Sequence, residues 1–116
     1  MKSRKSTPVS LAQGDILFLR VNGIPDAARS VAPVGNRFVL AEGEATGHAH
    51  TVPARGVALM EVPNEGGVTY LTVEELTGVE VSHQEHASVK LDPGTWKVIR
   101  QREYTDDDEN WSLVAD

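Results

Sequence analysis

The chain has 116 residues, contains no Cys, and carries 11 Lys and Arg against 17 Asp and Glu, a formal net charge of −6. This length suits a single domain, and the lack of thiols excludes a disulfide scaffold, a thiolate zinc site and an iron–sulfur cluster. The acidic balance argues against a general nucleic-acid binder, because contact with phosphate backbones needs a surplus of Lys and Arg.

Short apolar or alternating runs, separated by Gly and Pro, recur along the chain and predict strands. In chain order these are Asp15–Val21, Arg37–Ala41, Gly56–Val62, Val68–Glu74, Val79–Val81, Ala87–Leu91, Thr95–Arg100 and an edge strand at Trp111–Val114. No run keeps helical periodicity over a helix length, so at most one short helical turn is expected, near Pro25–Ser30 or Val73–Leu76. The pattern predicts an all-β fold, either a single small β-barrel or a sandwich.

The N-terminal segment Met1–Leu11 is basic but lacks the apolar stretch of a signal peptide, so we interpret it as a flexible arm. Residues 12–116 then form the single predicted domain. No segment approaches the ~18 apolar residues that cross a bilayer. We therefore expect no membrane contact and a cytoplasmic location.

All four histidines fall in two close pairs, His48 with His50 and His83 with His86. Side chains two apart on a strand project from one face, so His48 and His50 can chelate a single ion. His83 and His86 meet if a tight hairpin, a bulge or one helical turn brings them together. The pattern predicts one divalent transition metal held by three or four imidazoles, and imidazole suits zinc, iron, manganese, nickel or copper alike.

Glu85 lies between the members of the second pair and is the candidate catalytic residue, as a general base acting on metal-bound water. It can equally be a ligand itself or a partner that orients an imidazole ring. Glu42 and Glu44, just before the first pair, can accept hydrogen bonds from ring N–H groups. The alternative without a metal is that the histidines cap turns and hydrogen-bond backbone groups.

Two further charged segments lie near the C-terminus. The run Asp106–Glu109 is interpreted as a solvated acidic loop, because it lacks the spaced oxygen ligands and the turn Gly of a calcium loop. On a strand, Arg100, Arg102 and Tyr104 share one face, which can hold a carboxylate or phosphate. The favoured interpretation of these arginines is structural ion pairing, with the Asp106–Glu109 run of the same molecule or with a neighbouring subunit.

The segment Gly47-His48-Ala49-His50, the later histidines and the turn at Pro93-Gly94 resemble the cupins. Cupins are small β-barrels that hold a metal in the barrel mouth, commonly through three His and one Glu. The resemblance covers about Gly43–Lys97 and implies a cupin-like barrel and metal site, with the two histidines of this segment as its paired ligands.

Two features depart from the cupin pattern. The residues after the pair, Thr51–Arg55, lack the Glu that the family places there, and the Pro-Gly turn follows His86 instead of preceding the last His. The motifs Gly-His-x-His, His-x-Glu-His and Arg-Gln-Arg-Glu-Tyr also resemble a family of small bacterial proteins without an assigned function. Neither resemblance implies a particular reaction.

Two classes of function remain open. In the first, the chain is a metal-binding protein, an enzyme if three histidines leave a place for water and a structural module if four saturate the ion. In the second, it is an accessory or interaction protein that works through its acidic surface on a small-molecule or protein partner. Such a protein can form a homo-oligomer through edge strands such as Trp111–Val114.

Overall fold

The computed structural model describes residues 10–42, 47–65 and 68–101, and these residues form strands, turns and loops with no helix. The strands are β1 (Ser10–Gln13), β2 (Ile16–Val21), β3 (Arg29–Ser30), β4 (Arg37–Glu42), β5 (Ala49–Pro53), β6 (Val57–Glu61), β7 (Val68–Val73), β8 (Val79–Val81), β9 (Val89–Leu91) and β10 (Gly94–Arg100). The prediction of an all-β fold is confirmed.

The strands form three hydrogen-bonded sheets in which every pair is antiparallel. The largest has six strands in the order β1-β2-β10-β7-β6-β3, and the others are the pairs β4-β5 and β8-β9. An isolated bridge joins the two small sheets, because the backbone groups of Thr51 and Ser82 exchange hydrogen bonds of 3.0 and 2.8 Å. Among the described strands, the sheets stay open and do not close into a barrel.

The core is built from alternate residues of the central strands. Ile16 and Phe18 on β2 are buried, as are Trp96 and Val98 on β10, whereas their neighbours in sequence are partly exposed. This alternation arises because successive side chains of a strand point to opposite faces. The same hydrophobic cluster draws on all three sheets, and its other members are Phe38, Val52, Leu59, Leu71, Val73, Val79, Val81 and Leu91.

Trp96 links the core to the turn between β9 and β10. Its ring is fully buried, its Nε1–H donates to the carbonyl of Asp92 at 3.0 Å, and the guanidinium of Arg20 lies 5.0 Å from the ring centre. Arg20 also donates to the carbonyl of Pro93 at 2.6 Å. A Cβ at Gly94 would lie 2.5 Å from the same guanidinium, so only glycine fits at this approach.

The apolar pattern does not predict β1, β3 or β5. β1 begins at Ser10, within the segment interpreted as an arm, and pairs with β2. β1 and β5 place Gln13 and His50 at buried positions, where polar side chains interrupt the apolar alternation that identifies strands. β3 has only two residues, both exposed, and therefore carries no apolar signal.

Neither position suggested for a helical turn forms one. Within Pro25–Ser30, the N–H of Ala28 donates to the carbonyl of Pro25 at 3.0 Å, and the chain then extends into β3. Within Val73–Leu76, the N–H of Glu74 donates to the carbonyl of Gly56, just before β6, at 2.7 Å. This hydrogen bond continues the pairing of β7 with β6 and is not that of a helical turn.

Several predicted features lie outside the described residues. They are the edge strand Trp111–Val114, the acidic run Asp106–Glu109, the side chains of Arg102 and Tyr104, and Glu44. Across residues 10–42, 47–65 and 68–101, the chain contains no helix long and apolar enough to cross a membrane.

Replacing Trp96 with Phe should lower the free energy of unfolding by about 2 kcal/mol, because the smaller ring leaves a void and the Asp92 carbonyl loses its donor. Urea denaturation followed by circular dichroism measures the change. The control is Leu76→Ala, at a side chain that is 90% exposed, which should shift stability by less than about 0.5 kcal/mol. Equal effects of the two substitutions would contradict the central role of Trp96.

Candidate functional site

Four parts of the chain meet at one end of the sheets: the β1–β2 turn, the start of β5, the loop between β8 and β9, and the end of β10. Gly14 and Asp15 form the turn, and Gly14 has the positive φ, +57°, that the first position of such a tight hairpin requires. The end of β10 lies beside the turn, because the N–H of Gln101 donates to the Asp15 carbonyl at 2.6 Å. Side chains from separate strands therefore share this end of the fold.

The structure brings the four predicted histidines into one cluster, which we call the histidine cluster (His48, His50, His83 and His86). The ring centres of His50 and His83 are 4.4 Å apart, those of His83 and His86 4.5 Å, and those of His50 and His86 6.1 Å. His48 lies against His83 at 5.8 Å. The ring of His83 therefore neighbours each of the other three imidazoles.

A wide loop brings His83 and His86 together, rather than a two-residue hairpin turn or a helical turn. Val81 pairs with Val89, so residues 82–88 form the connection between β8 and β9. The side-chain oxygen of Gln84 accepts a hydrogen bond from the N–H of Ala49 at 2.9 Å. This contact holds the loop against β5, which carries the other histidine pair.

Gln13 fixes the orientation of the buried ring of His50, a role that the sequence pattern did not reveal. The side chains of Gln13 and His50 are only 3% and 1% exposed. The amide nitrogen of Gln13 donates to the carbonyls of Val81 and Ala87, both at 2.9 Å. Its oxygen therefore faces Nδ1 of His50, 2.8 Å away, and must accept a hydrogen bond from the Nδ1–H group. In the neutral ring, Nε2 of His50 consequently carries the free lone pair.

Asp15 faces that lone pair. Its Oδ1 lies 3.4 Å from Nε2 of His50, and its Oδ2 accepts a hydrogen bond from Nε of Arg100 at 2.9 Å. Arg100 also donates through Nη2 to the carbonyl of Glu42. Arg100 thus forms an ion pair, as interpreted, but its partner is Asp15, whereas the acidic run Asp106–Glu109 lies outside the described residues. Ligand atoms on a tetrahedral ion lie about 3.4 Å apart, so Oδ1 and Nε2 are spaced as two ligands of one cation would be.

The charge states of these groups follow from their surroundings. Burial lowers the pKa of His50 below 6.5, and the neighbouring ring of His83 lowers it further, against the opposing effect of Asp15. Burial, together with the nearby imidazoles, also lowers the pKa of His83. Burial by itself raises the pKa of Asp15, but the hydrogen bond and charge of Arg100 outweigh it, and the pKa falls below 3.8. At neutral pH, His50 is therefore uncharged beside an ionised Asp15.

Glu85, the predicted catalytic residue, lies at the exposed side of the histidine cluster. Its Oε2 is 3.5 Å from Nδ1 of His48, and its side chain is 63% exposed. Its backbone N–H donates to Nδ1 of His83 at 2.9 Å. Glu85 thus contacts two members of the cluster, one through its carboxylate and one through its backbone.

His86 rests on the glycine of the β1–β2 turn. A Cβ at Gly14 would lie 2.6 Å from Nε2 and 2.8 Å from Cδ2 of His86. The positive φ favours glycine here, and the absence of a Cβ lets the ring of His86 lie against the turn. The Nε2 edge of His86 therefore lies against the turn that carries Asp15. The side chain of His86 is otherwise exposed.

Among the described side chains, His50 and Asp15 form a pair of potential metal ligands, but a complete ligand set is not present. Across residues 10–42, 47–65 and 68–101, no three His, Asp or Glu side chains are arranged as they would be around a metal ion. The buried His50 is held by Gln13 and the partly exposed Asp15 by Arg100, whereas the exposed ring of His86 makes no side-chain hydrogen bond among the described residues.

Comparison with protein families matches residues 12–101 to a domain of unknown function, DUF8820. The matched region contains every residue of the site described above. Comparisons with the curated proteins and with the solved structures find no match.

Replacing Gln13 with Met should destabilise the protein by about 3 kcal/mol, because it leaves two backbone carbonyls and the Nδ1–H of His50 without partners. It should also remove the preference of His50 for the Nδ1–H form. Urea denaturation measures the first effect, and nitrogen-15 NMR of the imidazole measures the second. The matched control is Gln84→Met in the exposed loop, which should leave the proton of His50 in place. If His50 keeps its Nδ1–H in the Gln13→Met variant, Gln13 does not fix the ring.

Proposed function

The chain belongs to the DUF8820 family, and for this member we propose that the histidine cluster and Asp15 bind one divalent transition-metal ion. The observation that carries the proposal is the facing pair of Nε2 of His50 and Oδ1 of Asp15, 3.4 Å apart. Both atoms present lone pairs, and two acceptors in contact repel each other unless a cation lies between them.

A metal ion explains this pair better than a second proton on His50. Burial and the neighbouring imidazole of His83 lower the pKa of His50 against the opposing effect of Asp15, which disfavours a charged ring at neutral pH. A divalent ion needs the neutral ring that this environment maintains and the carboxylate that Arg100 keeps ionised. The Nδ1–H of His50 donates to a fixed amide oxygen, which is the usual arrangement behind a metal-binding imidazole.

The exposed imidazoles supply the remaining ligands. His86 lies on the turn next to Asp15, and rotation of its side chain can direct a ring nitrogen towards the pair. His48, the residue before β5, lies against the ring of His83 and is a further candidate ligand. Two imidazoles with one carboxylate suit iron, manganese or zinc, whose preferences overlap for such a set. A bound ion would act there as a Lewis acid on an oxygen ligand.

The resemblance to cupins supports this proposal only through the segment Gly47-His48-Ala49-His50. Because the described sheets are open, we rest the proposal on side-chain geometry and not on a cupin barrel. We keep two sequence-based expectations with it, a cytoplasmic location and the absence of nucleic acid as a partner, which follow from the composition.

Protein purified without a His tag should contain close to one equivalent of a transition metal, and added zinc or manganese should raise its melting temperature. His50→Ala and Asp15→Asn should each weaken metal binding at least tenfold, because each removes one atom of the facing pair. Elemental analysis and calorimetric titration measure these effects. Asp26→Asn, at an exposed carboxylate outside the site, is the matched control and should bind metal normally. Less than about a tenth of an equivalent, with no gain in melting temperature, would refute the proposal.

Metal affinity should stay high from pH 8 down to about 6.5 and fall below that, because protons then compete for the imidazoles. The metal-free protein should also lose stability as the pH falls below about 6.5. The pKa of His50 is lower in the folded state than in the unfolded chain, so the unfolded chain takes up protons first as the pH falls. Titration with zinc and thermal melting at a series of pH values test both. Unchanged zinc affinity at pH 5 would argue against imidazole ligands.

A further inference from the structure

The direction of one hydrogen bond distinguishes His83 from the other members of the histidine cluster. Nδ1 of His83 accepts from the backbone N–H of Glu85 at 2.9 Å, and a backbone N–H can only donate. In the neutral ring the proton must therefore be on Nε2. His50 has the opposite arrangement, with its proton on Nδ1 and its lone pair on Nε2.

A protonated ring nitrogen donates a hydrogen bond and cannot bind a metal. For His83 to bind the ion through Nε2, its proton would have to move to Nδ1, which breaks the contact with Glu85 N–H, or the ring would have to lose its single N–H proton and become imidazolate. This arrangement therefore disfavours a site in which all four imidazoles bind the ion. The ring of His83 lies between those of His50 and His86, 4.4 and 4.5 Å from their centres, and is therefore a neighbour of the imidazole to which the ion is assigned.

We propose that His83 is a hydrogen-bond donor to a small carboxylate that occupies an open position on the metal, and is not itself a ligand. This inference rests on the proposed function, because it needs the ion at the pair of His50 and Asp15. One oxygen of the carboxylate would contact the metal, and the other would accept from Nε2 of His83.

The charges around the site favour an anion over a neutral molecule. The negative charge of Asp15 is already paired with Arg100 at 2.9 Å, so it does not neutralise a bound dication by itself. The carboxylate of Glu85 is directed towards His48. An incoming carboxylate would supply negative charge to balance the dication and would accept a hydrogen bond from the Nε2–H of His83. The exposed loop residues Gln84 and His86 leave this side of the cluster open to solvent.

Cobalt(II) provides the test, since its visible spectrum changes when a ligand enters or leaves. The wild-type protein loaded with cobalt should bind acetate with a spectral change. In His83→Phe, which keeps a ring but has no donor, the cobalt Kd should stay within about threefold of wild type while the acetate Kd rises about tenfold. His83→Gln, which restores an N–H donor, should recover most of the acetate affinity.

The outcomes separate this inference from the proposed function. If the wild-type protein does not bind cobalt, the proposed function itself fails. If cobalt binds but acetate leaves its spectrum unchanged, the open position does not exist. If His83→Phe weakens cobalt binding as much as His50→Ala does, His83 is a ligand and the inference is wrong.

Nitrogen-15 NMR of the wild-type protein loaded with zinc gives a second measurement that needs no variant. The inference requires Nε2 of His83 to keep its proton while Nε2 of His50 binds the metal through its lone pair. A zinc-bound Nε2 on His83 would overturn it, whatever the variants show.

Discussion

The site depends on one buried contact, the hydrogen bond between Gln13 and His50. The amide of Gln13 cannot turn, because its nitrogen is held by two backbone carbonyls, of Val81 and Ala87. Its oxygen therefore determines which nitrogen of His50 carries the proton. The same side chain joins β1 to the β8–β9 loop, so the stability of the fold and the chemistry of His50 depend on the same atoms.

The site has a rigid half and an exposed half. Asp15, in the β1–β2 turn, is held by Arg100, and His50 is held by Gln13 on a strand that also contributes to the core. His86, by contrast, is carried by an exposed loop. In the proposed metal site, these two side chains would be in place before an ion binds, and the other ligands would be gained by rotation of side chains. Such rotation costs less free energy than moving a packed strand.

The arrangement also explains how closely spaced histidines can differ in function. His50 and His83 are neighbouring rings with lowered pKa values, and both are neutral at pH 7. Their protons are nevertheless on different nitrogens, because one ring faces an amide oxygen and the other a backbone N–H. The hydrogen-bond partner, and not the residue type, decides whether an imidazole can accept a metal or donate to its ligand.

The sequence by itself determined the strand-rich character of the chain and the candidate histidines, because alternation, turn residues and paired His are local features. It predicted Val79–Val81 to the residue, since apolar alternation there is uninterrupted. It missed β1 and β5, where Gln13 and His50 replace apolar residues at buried positions. Asp15 and Arg100 are 85 residues apart, and a contact over that separation leaves no local pattern. Only the tertiary structure decided that they meet beside His50, because strand pairing, and not sequence spacing, brings the ends of β2 and β10 together.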